Sequence, residues 1–325
     1  MVDNYKNLLF LKKNYFKIKD IYYNKNKKLT NSQKITADAF EYEWTTQRYF
    51  FNKLTKASWY KRSIQFWDTN FKNWNRHIFK IIKKNSIILD AGCGAGVNML
   101  PILTNLKNSY YYYGLDVTNS ILNAKKTYKK ANIPSIFIKS SFQNFFFRKN
   151  AFDLIFAIGT LHHADNLIKS TLKLIRPLKK GGYFVFWVYK KQPFIRENVD
   201  NLIRSKIVSM SPRLTRRHLI DITAFAKDLY ENRSIINIKK GLKILDIKKG
   251  SYNFHNFIFK FFFKSVYNKI LGFKGSYYEN FDWYKPFINN TFNVEEIDNV
   301  CKKINVRVIN KFISTSGIGI IAQKK

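Results

Sequence analysis

The sequence predicts an α/β fold: a mostly parallel sheet covered by helices on both faces. Three observations predict it. Short apolar runs alternate with helical patterns between residues 80 and 190. The first of these runs ends in a glycine-rich turn of the kind that joins a strand to a helix. A last helical pattern and two further apolar runs follow residue 291, after a long stretch in which the alternation stops.

The organising stretch is Ser86 to Gly96, SIILDAGCGAG. Ile87, Ile88 and Leu89 read as strand, Asp90 ends it, and Gly92-Cys93-Gly94-Ala95-Gly96 turns the chain into a helical pattern from Val97 to Leu106. Glycines at alternate positions let the backbone bend sharply and approach a ligand where a side chain would clash. The following helix would present unpaired N–H groups at its start. Tyr110–Asp116 is the second strand, Asn119–Lys130 a helix, Ser135–Ser140 the third strand and Phe152–Gly159 the fourth. Asp165–Arg176 is a helix stopped by Pro177, and Gly181-Gly182 leads into a fifth strand, Tyr183–Tyr189. Near the end, Asn293–Ile304 is helical with Glu295 and Glu296 in its first turn, where they suit the helix dipole. Val306–Ile313 and Ile318–Ala322 are two strands joined by Ser314–Gly317.

Four segments result. Residues 1–79 are an N-terminal basic and aromatic extension: residues 1–35 read as an irregular lead-in. From Ala37 to Arg76 aromatic residues recur at helical spacing, as in Trp67, Phe71 and Trp74. Residues 80–190 are the sheet core, 191–290 a helical and basic lid insertion, and 291–325 the end of the core. Within the insertion, Phe254, Phe257, Ile258, Phe261 and Phe262 fit one helical face. That face is either buried in the lid or laid on a membrane surface.

The formal charge is +37, with 58 Lys and Arg against 21 Asp and Glu. Such a balance draws polyanions. Lysine outnumbers arginine about four to one, however, and the lysine pairs come from every region, including Lys12-Lys13, Lys27-Lys28, Lys83-Lys84 and Lys302-Lys303. A spread of this kind is a compositional bias of the chain rather than a focused nucleic-acid patch. Cys93 and Cys301 make neither a disulfide framework nor a metal pattern, and the five histidines have no zinc spacing, so no metal is expected. The apolar run Leu8–Leu11 is too short for a secretory segment, and no stretch reaches the roughly 20 apolar residues of a membrane span. A cytoplasmic location with reduced thiols is the expectation.

LDAGCGAG, Leu89 to Gly96, resembles the first motif of the class I S-adenosylmethionine (SAM) methyltransferases, and FDLIFAIGTLHHADN, Phe152 to Asn166, resembles their motif after the fourth strand. The resemblance covers about residues 80–190 and 291–325 and points to bacterial methyltransferases of types 11 and 12. It implies a Rossmann-like, doubly wound, mostly parallel sheet of seven strands closed by a C-terminal β-hairpin, with SAM as cofactor. Asp116, 20 residues after Gly96, would accept from the two ribose hydroxyls. Gly92, Cys93, Gly94, Gly96, Val117, Ile158 and Gly159 would line the cofactor. Asp90 either lies near its methionine end or only orients the turn. Ser141 and Phe142 fall where the family faces the adenine, although the family's usual Asp is absent there.

His162 and His163 follow at the mouth of the fourth strand and are the candidates to bind or deprotonate an acceptor. FDWYKPF, Phe281–Phe287, resembles an F-D-W-Y-x-P segment of methyltransferases with a helical insertion. It makes Asp282, Trp283 and Tyr284 substrate candidates, or an aromatic anchor of the lid. FEYEW, Phe40–Trp44, resembles an aromatic entry segment in some bacterial members.

Two chemistries are excluded by sequence. Ala157-Ile158-Gly159-Thr160 stands where amino-methylating DNA enzymes carry N/D-P-P-Y/F, and neither cysteine stands where a base C5-methylating nucleophile would. The expected function is methyl transfer to a small-molecule or lipid-linked acceptor, with peripheral membrane contact open. The alternatives are an RNA methyltransferase using the basic surface and a non-catalytic SAM-binding partner protein.

Overall fold

The computed structural model describes residues 14–18, 20–26, 28–46 and 55–325. The apolar run Leu8–Leu11, Lys12, Lys13, Lys27, Tyr49 and Phe50 lie outside the described residues. The chain divides into two units, Met1–Lys190 with Asn290–Lys325, and Lys191–Asn289.

In the first unit, seven strands fall on the apolar runs: β3 (Ser86–Ala91), β4 (Tyr110–Asp116), β5 (Ser135–Lys139), β6 (Phe152–Ile158), β7 (Leu178–Tyr189), β10 (Val306–Ile313) and β11 (Gly317–Lys324). Two more, β1 (Tyr15–Ile18) and β2 (Ile21–Asn24), precede them. The sheet runs β1-β2-β5-β4-β3-β6-β7-β11-β10. From β2 to β7 every neighbour is parallel; β1, β11 and β10 join antiparallel. The order reverses at β3, whose neighbours are β4 on one side and β6 on the other. Ligands of such sheets sit beyond the carboxyl ends of the strands at this switch point.

The expected seven strands are therefore nine among the described residues, and the N-terminal lead-in is not irregular throughout. Residues 15–24 form a hairpin that extends the sheet beside β5, with Ile21 opposite Phe137. Tyr15 and Ile21 are buried there, the Tyr15 hydroxyl accepts the Phe146 N–H, and Asn24 Nδ2 donates to Ser140 Oγ and the Asn144 carbonyl. Alternation over four residues is too short a signal to separate from coil.

The other elements of this unit are α1 (Asn31–Thr46), α2 (Thr55–Asn70), α3 (Trp74–Ile81), α4 (Leu100–Asn105), α5 (Ile121–Lys130), α6 (Leu167–Ile175) and α11 (Val294–Lys303). Trp67, Phe71 and Trp74 pack together as their spacing predicts, with Trp67 and Phe71 wholly buried. The helix after the glycine turn is shorter than expected. Val97 to Met99 make turns, and α4 starts only at Leu100, with Pro101 in its first turn. The turn is thus not a helix N-terminus. Gly181 and Gly182 lie inside β7 rather than before it, where Gly181 takes φ +73° and the register against β6 slips between Phe152 and Leu154. Asn293 caps α11 with a full capping box, its side chain accepting from Glu296 N while Glu296 accepts from Asn293 N.

The second unit holds α7 (Phe194–Ser209), α8 (Pro212–Glu231), α9 (Phe254–Phe261) and α10 (Gly272–Tyr284). It also holds an unexpected antiparallel hairpin, β8 (Ile235–Ile238) with β9 (Gly250–Asn253). The phenylalanine face of α9 is not laid open: Phe261 is buried, and Phe254, Phe257, Ile258 and Phe262 are half-buried. That degree of cover fits packing within this unit better than a face laid on a membrane surface.

Candidate functional site

The glycine turn follows β3 at the switch point. Gly92, Gly94 and Gly96 all take positive φ, at +77°, +51° and +78°. The N–H groups of Gly92 and Cys93 both reach the Leu115 carbonyl, at 2.7 and 3.0 Å, which ties the turn to the end of β4. A Cβ at Gly92 would lie 2.3 Å from Thr160 Oγ1, and one at Gly96 would lie 2.6 Å from the Tyr128 ring. These two glycines are fixed by packing. Gly94 differs: a Cβ there would meet only the Trp44 ring, at 3.8 Å. At Gly159, with φ +75° at the carboxyl end of β6, a Cβ would meet nothing within 4 Å.

Asp116 ends β4 and is half-buried. Its Oδ2 accepts the Gly94 N–H at 2.8 Å, while its Oδ1 accepts from Thr118 N and Thr118 Oγ1. Burial raises its pKa and these donors oppose the rise. Asp90 lies deeper. It is buried, accepts the Tyr112 hydroxyl at 2.7 Å, and is pushed up to about 7, first by burial. Tyr112 touches Tyr128, whose hydroxyl donates to the Gly96 carbonyl. Of the two readings of Asp90, this geometry fits the one in which it orients the turn. Cys93 is buried against Gly114, and burial pushes its thiol well up, so it is no nucleophile.

Val117 is half-buried beside Asp116, and Ile158 is buried at the end of β6. Ser141 Oγ accepts the Gln143 N–H in a local turn, and Phe142 packs against the sheet core. Thr160 to Ala164 form a single turn held by Asn290, whose backbone and side-chain N–H groups donate to the His162 carbonyl and whose side chain also reaches Ala164.

The two histidines separate. His162 is fully buried, its ring stacked on Tyr189 at 3.8 Å. It is a core ring, and the expectation that it meets an acceptor is corrected. His163 keeps 9% of its surface exposed, beside His162 at 4.1 Å and edge-on to Phe40 at 4.7 Å.

Phe40 belongs to α1, within the FEYEW segment whose resemblance suggested an aromatic entry segment. Across α1, Gln33 bonds Gln143 and Asp165, Glu41 accepts from Asn119, the Trp44 carbonyl accepts Asn123 Nδ2, and the Trp44 ring lies beside Gly94. One helix thus touches the loops after β3, β4, β5 and β6. The signal was FEYEW, which supplies Phe40, Glu41 and Trp44.

The candidates Asp282, Trp283 and Tyr284 lie at the end of α10 in the second unit, and Trp283 and Tyr284 are buried. The Tyr284 hydroxyl sits 2.7 Å from both Asp200 Oδ1 and the Lys264 carbonyl. Asp200 also accepts the Lys264 N–H and pairs with the buried Arg196. Of the two readings of the F-D-W-Y segment, these bonds fit Tyr284 as an anchor of this unit. Arg196 lies over Phe259, and Lys264 lies over the Trp283 ring at 4.5 Å, with its pKa lowered to about 8 by burial.

The strand order about β3, the glycine turn and the acid at the end of β4 form a Rossmann-like core on the residues that resemble class I SAM-dependent methyltransferases. Residues 89–186 match the family model described as a methyltransferase domain, and SAM is the cofactor of that domain. The chain is 29% identical over 164 residues to the sterol 24-C-methyltransferase of Schizosaccharomyces pombe, covering 48% of this chain and 39% of that one. It is 26% identical over 111 residues to the ubiquinone biosynthesis O-methyltransferase of Rickettsia akari, covering 34% of this chain and 41% of that one. The chain thus spans about two fifths of the length of these curated relatives. A crystal structure of a SAM-dependent methyltransferase from Aquifex aeolicus aligns with 82% of this chain and 98% of its own at 14% identity, with a TM-score of 0.43.

The residues present fit the cofactor. At the carboxyl ends of adjacent strands Gly159 borders open space and a Cβ at Gly94 would meet only the Trp44 ring, with Asp116 bonded to the Gly94 N–H. A carboxylate has about four acceptor positions, and the Gly94 and Thr118 donors, with the Val117 N–H also turned to it, occupy much of Asp116's capacity.

Proposed function

We propose that this protein transfers a methyl group from SAM to a small-molecule or lipid-linked acceptor. The observation that carries the reading is the pair of positive-φ glycines at the ends of adjacent strands: Gly159, with open space around it, and Gly94, whose N–H is bonded to Asp116. Bound SAM supplies an electrophilic methyl on a sulfonium centre. The chain's residues hold and enclose it. Asp116 accepts from the ribose hydroxyls with the oxygen capacity that Gly94 and Thr118 leave over. Gly94 and Gly159 admit the cofactor close to the backbone, and Trp44 on α1 covers the turn and excludes water. His163 is the imidazole that takes a proton from an acceptor hydroxyl or amine; an acceptor already anionic or carbon-centred needs less help.

The lipid side of the acceptor class draws on the relatives, whose names specify a sterol and ubiquinone biosynthesis. The test is calorimetric titration of the chain with SAM, followed by transfer of labelled methyl from SAM into separated lipid, small-molecule and RNA fractions of a cell extract. Label in the lipid or small-molecule fraction supports the reading. Label in RNA refutes the acceptor class, and no SAM binding refutes the whole.

A further inference from the structure

The second unit carries a surface that the methyl-transfer reading does not use. Between β8 and β9 the chain runs KKGLKILDIKK, residues 239–249. This tip is closed on itself. Leu242 N donates to the Ile247 carbonyl at 2.7 Å, Ile247 N donates back at 3.1 Å, and Lys243–Leu245 form a single tight turn that ends at Asp246 with φ +55°. Its base is tied as well: Ser251 Oγ bonds the Asn237 side chain, and the Tyr252 hydroxyl donates to the Lys248 carbonyl. Such a closed tip presents its side chains in a fixed array.

That array is unusual for a surface. Ile244 is 82% exposed at the turn, Leu242 47%, and Ile235 65% at the start of the hairpin. Around the apolar pair stand Lys239, Lys240, Lys243, Lys248 and Lys249, all exposed, against the single acid Asp246. An aliphatic point ringed by lysines matches the layering of an anionic bilayer surface. The apolar side chains enter the acyl boundary, while the ammonium groups stay at the headgroups on flexible apolar stems. A nucleic acid would use the lysines but leave Ile244 and Leu242 in water. A second protein chain would bury the aliphatic pair but gives no reason for five cations around it.

We propose that the β8–β9 tip docks this protein on an anionic lipid surface, with Leu242 and Ile244 inserted and the five lysines at the headgroups. The inference does not depend on the methyl acceptor. It assigns to the hairpin the peripheral membrane contact that the sequence suggested for the Phe254–Phe263 region.

The experiment is sedimentation of the full chain with vesicles of phosphatidylcholine alone or mixed with phosphatidylserine, at low and high salt. Binding to the mixed vesicles at low salt, weakening as salt rises, is expected. Each lysine replaced by Gln is expected to lower the partition about fivefold. Ile244→Asp is expected to lower it at least as much, with SAM binding unchanged. Ile244→Trp adds a direct readout, a blue shift and quenching by brominated lipid on docking. No binding to anionic vesicles overturns the proposal, as does binding indifferent to Ile244→Asp. Concentration-dependent self-association that is abolished by Ile244→Asp and competes with vesicles overturns it in favour of a second copy. Capture of single-stranded RNA that needs the lysines but not Ile244, without vesicle binding, overturns it in favour of nucleic acid.

Discussion

Asp116 Oδ2 accepts the Gly94 N–H at 2.8 Å, so the acid at the end of β4 holds the turn after β3 in place. A residue expected only to touch a ribose thus also shapes the loop that would carry the cofactor. Asp116→Ala should weaken SAM binding by about 10- to 100-fold, the worth of a charge-assisted hydrogen bond. It should also lower the melting temperature of the cofactor-free protein, because the Gly94 and Thr118 donors lose their acceptor. Asp116→Asn keeps an acceptor for Gly94 and should restore more of the stability than of the affinity. Titration calorimetry and thermal unfolding on the same samples separate the two effects.

The three glycines of the turn should respond differently to alanine. Gly96→Ala combines a positive φ with a Cβ 2.6 Å from the Tyr128 ring, and should cost stability by more than the about 1–3 kcal/mol of backbone strain alone. Gly94→Ala meets only the Trp44 ring at 3.8 Å, so its cost should stay near the strain value. Its larger effect should be on SAM affinity, because the new methyl enters the space between the turn and the Trp44 ring. Urea unfolding and SAM titration of both variants check the ordering.

Most of the first unit was legible because its signals are local. Tyr110–Asp116 and Val306–Ile313 coincide with their apolar runs, and the glycine spacing marked the switch point. What was not legible depends on partners far along the chain. Nothing near Tyr15 announces that its hydroxyl meets Phe146, so β1 and β2 read as coil. Nothing near His162 announces Tyr189, so a stacked core ring looked like a polar group at a strand mouth. The turn at Val97–Met99 escaped notice because apolar spacing continues through it. Trp44 was visible as an aromatic, but its place over Gly94 follows from the path of α1 across four loops.

Asp90 should give the protein a measurable pH dependence. Its folded-state pKa is raised to about 7 by burial, whereas an unfolded aspartate titrates near 3.9. Between those values the folded state binds the proton and the unfolded state does not. Stability from this group is therefore fully present below about pH 4 and lost as pH rises to about 7, with a slope approaching 1.4 kcal/mol per pH unit. Asp90→Asn keeps an acceptor for Tyr112 without the charge. It should flatten that part of the profile and leave the variant more stable than wild type at pH 8. Urea midpoints across pH 4–8 for both proteins read this out.

His162 and His163 should part in the same experiment. His162→Ala removes a fully buried ring stacked on Tyr189, and should cost about 2–4 kcal/mol of stability. His163→Gln alters a buried ring that is 9% exposed and packed edge-on to Phe40, and should cost less stability than His162→Ala. With an acceptor that must lose a proton, it should lower turnover on the order of 100-fold at unchanged SAM affinity. A turnover indifferent to His163→Gln across pH would remove it from proton transfer and leave positioning by the surrounding loop as the contribution of this turn.

In the second unit the decisive pair is Asp200 and Tyr284. Asp200 accepts the Lys264 N–H at 2.7 Å and the Arg196 Nε–H at 3.3 Å, with the Tyr284 hydroxyl 2.7 Å from the same oxygen that takes Lys264. Removing the acid leaves a buried guanidinium without its counter-charge, so Asp200→Ala should cost about 3–5 kcal/mol. Tyr284→Phe removes one donor and keeps the packing, and should cost about 1 kcal/mol. If Tyr284 is an anchor, its phenylalanine variant should change the unfolding midpoint while the KM for the methyl acceptor stays put. A KM that rises without loss of stability would return Tyr284 to the acceptor site. The same measurement on Asp282→Asn, at a half-buried position of the same helix end, tests the one carboxylate of the F-D-W-Y segment, because a change in KM there without a change in midpoint is what contact with an acceptor predicts.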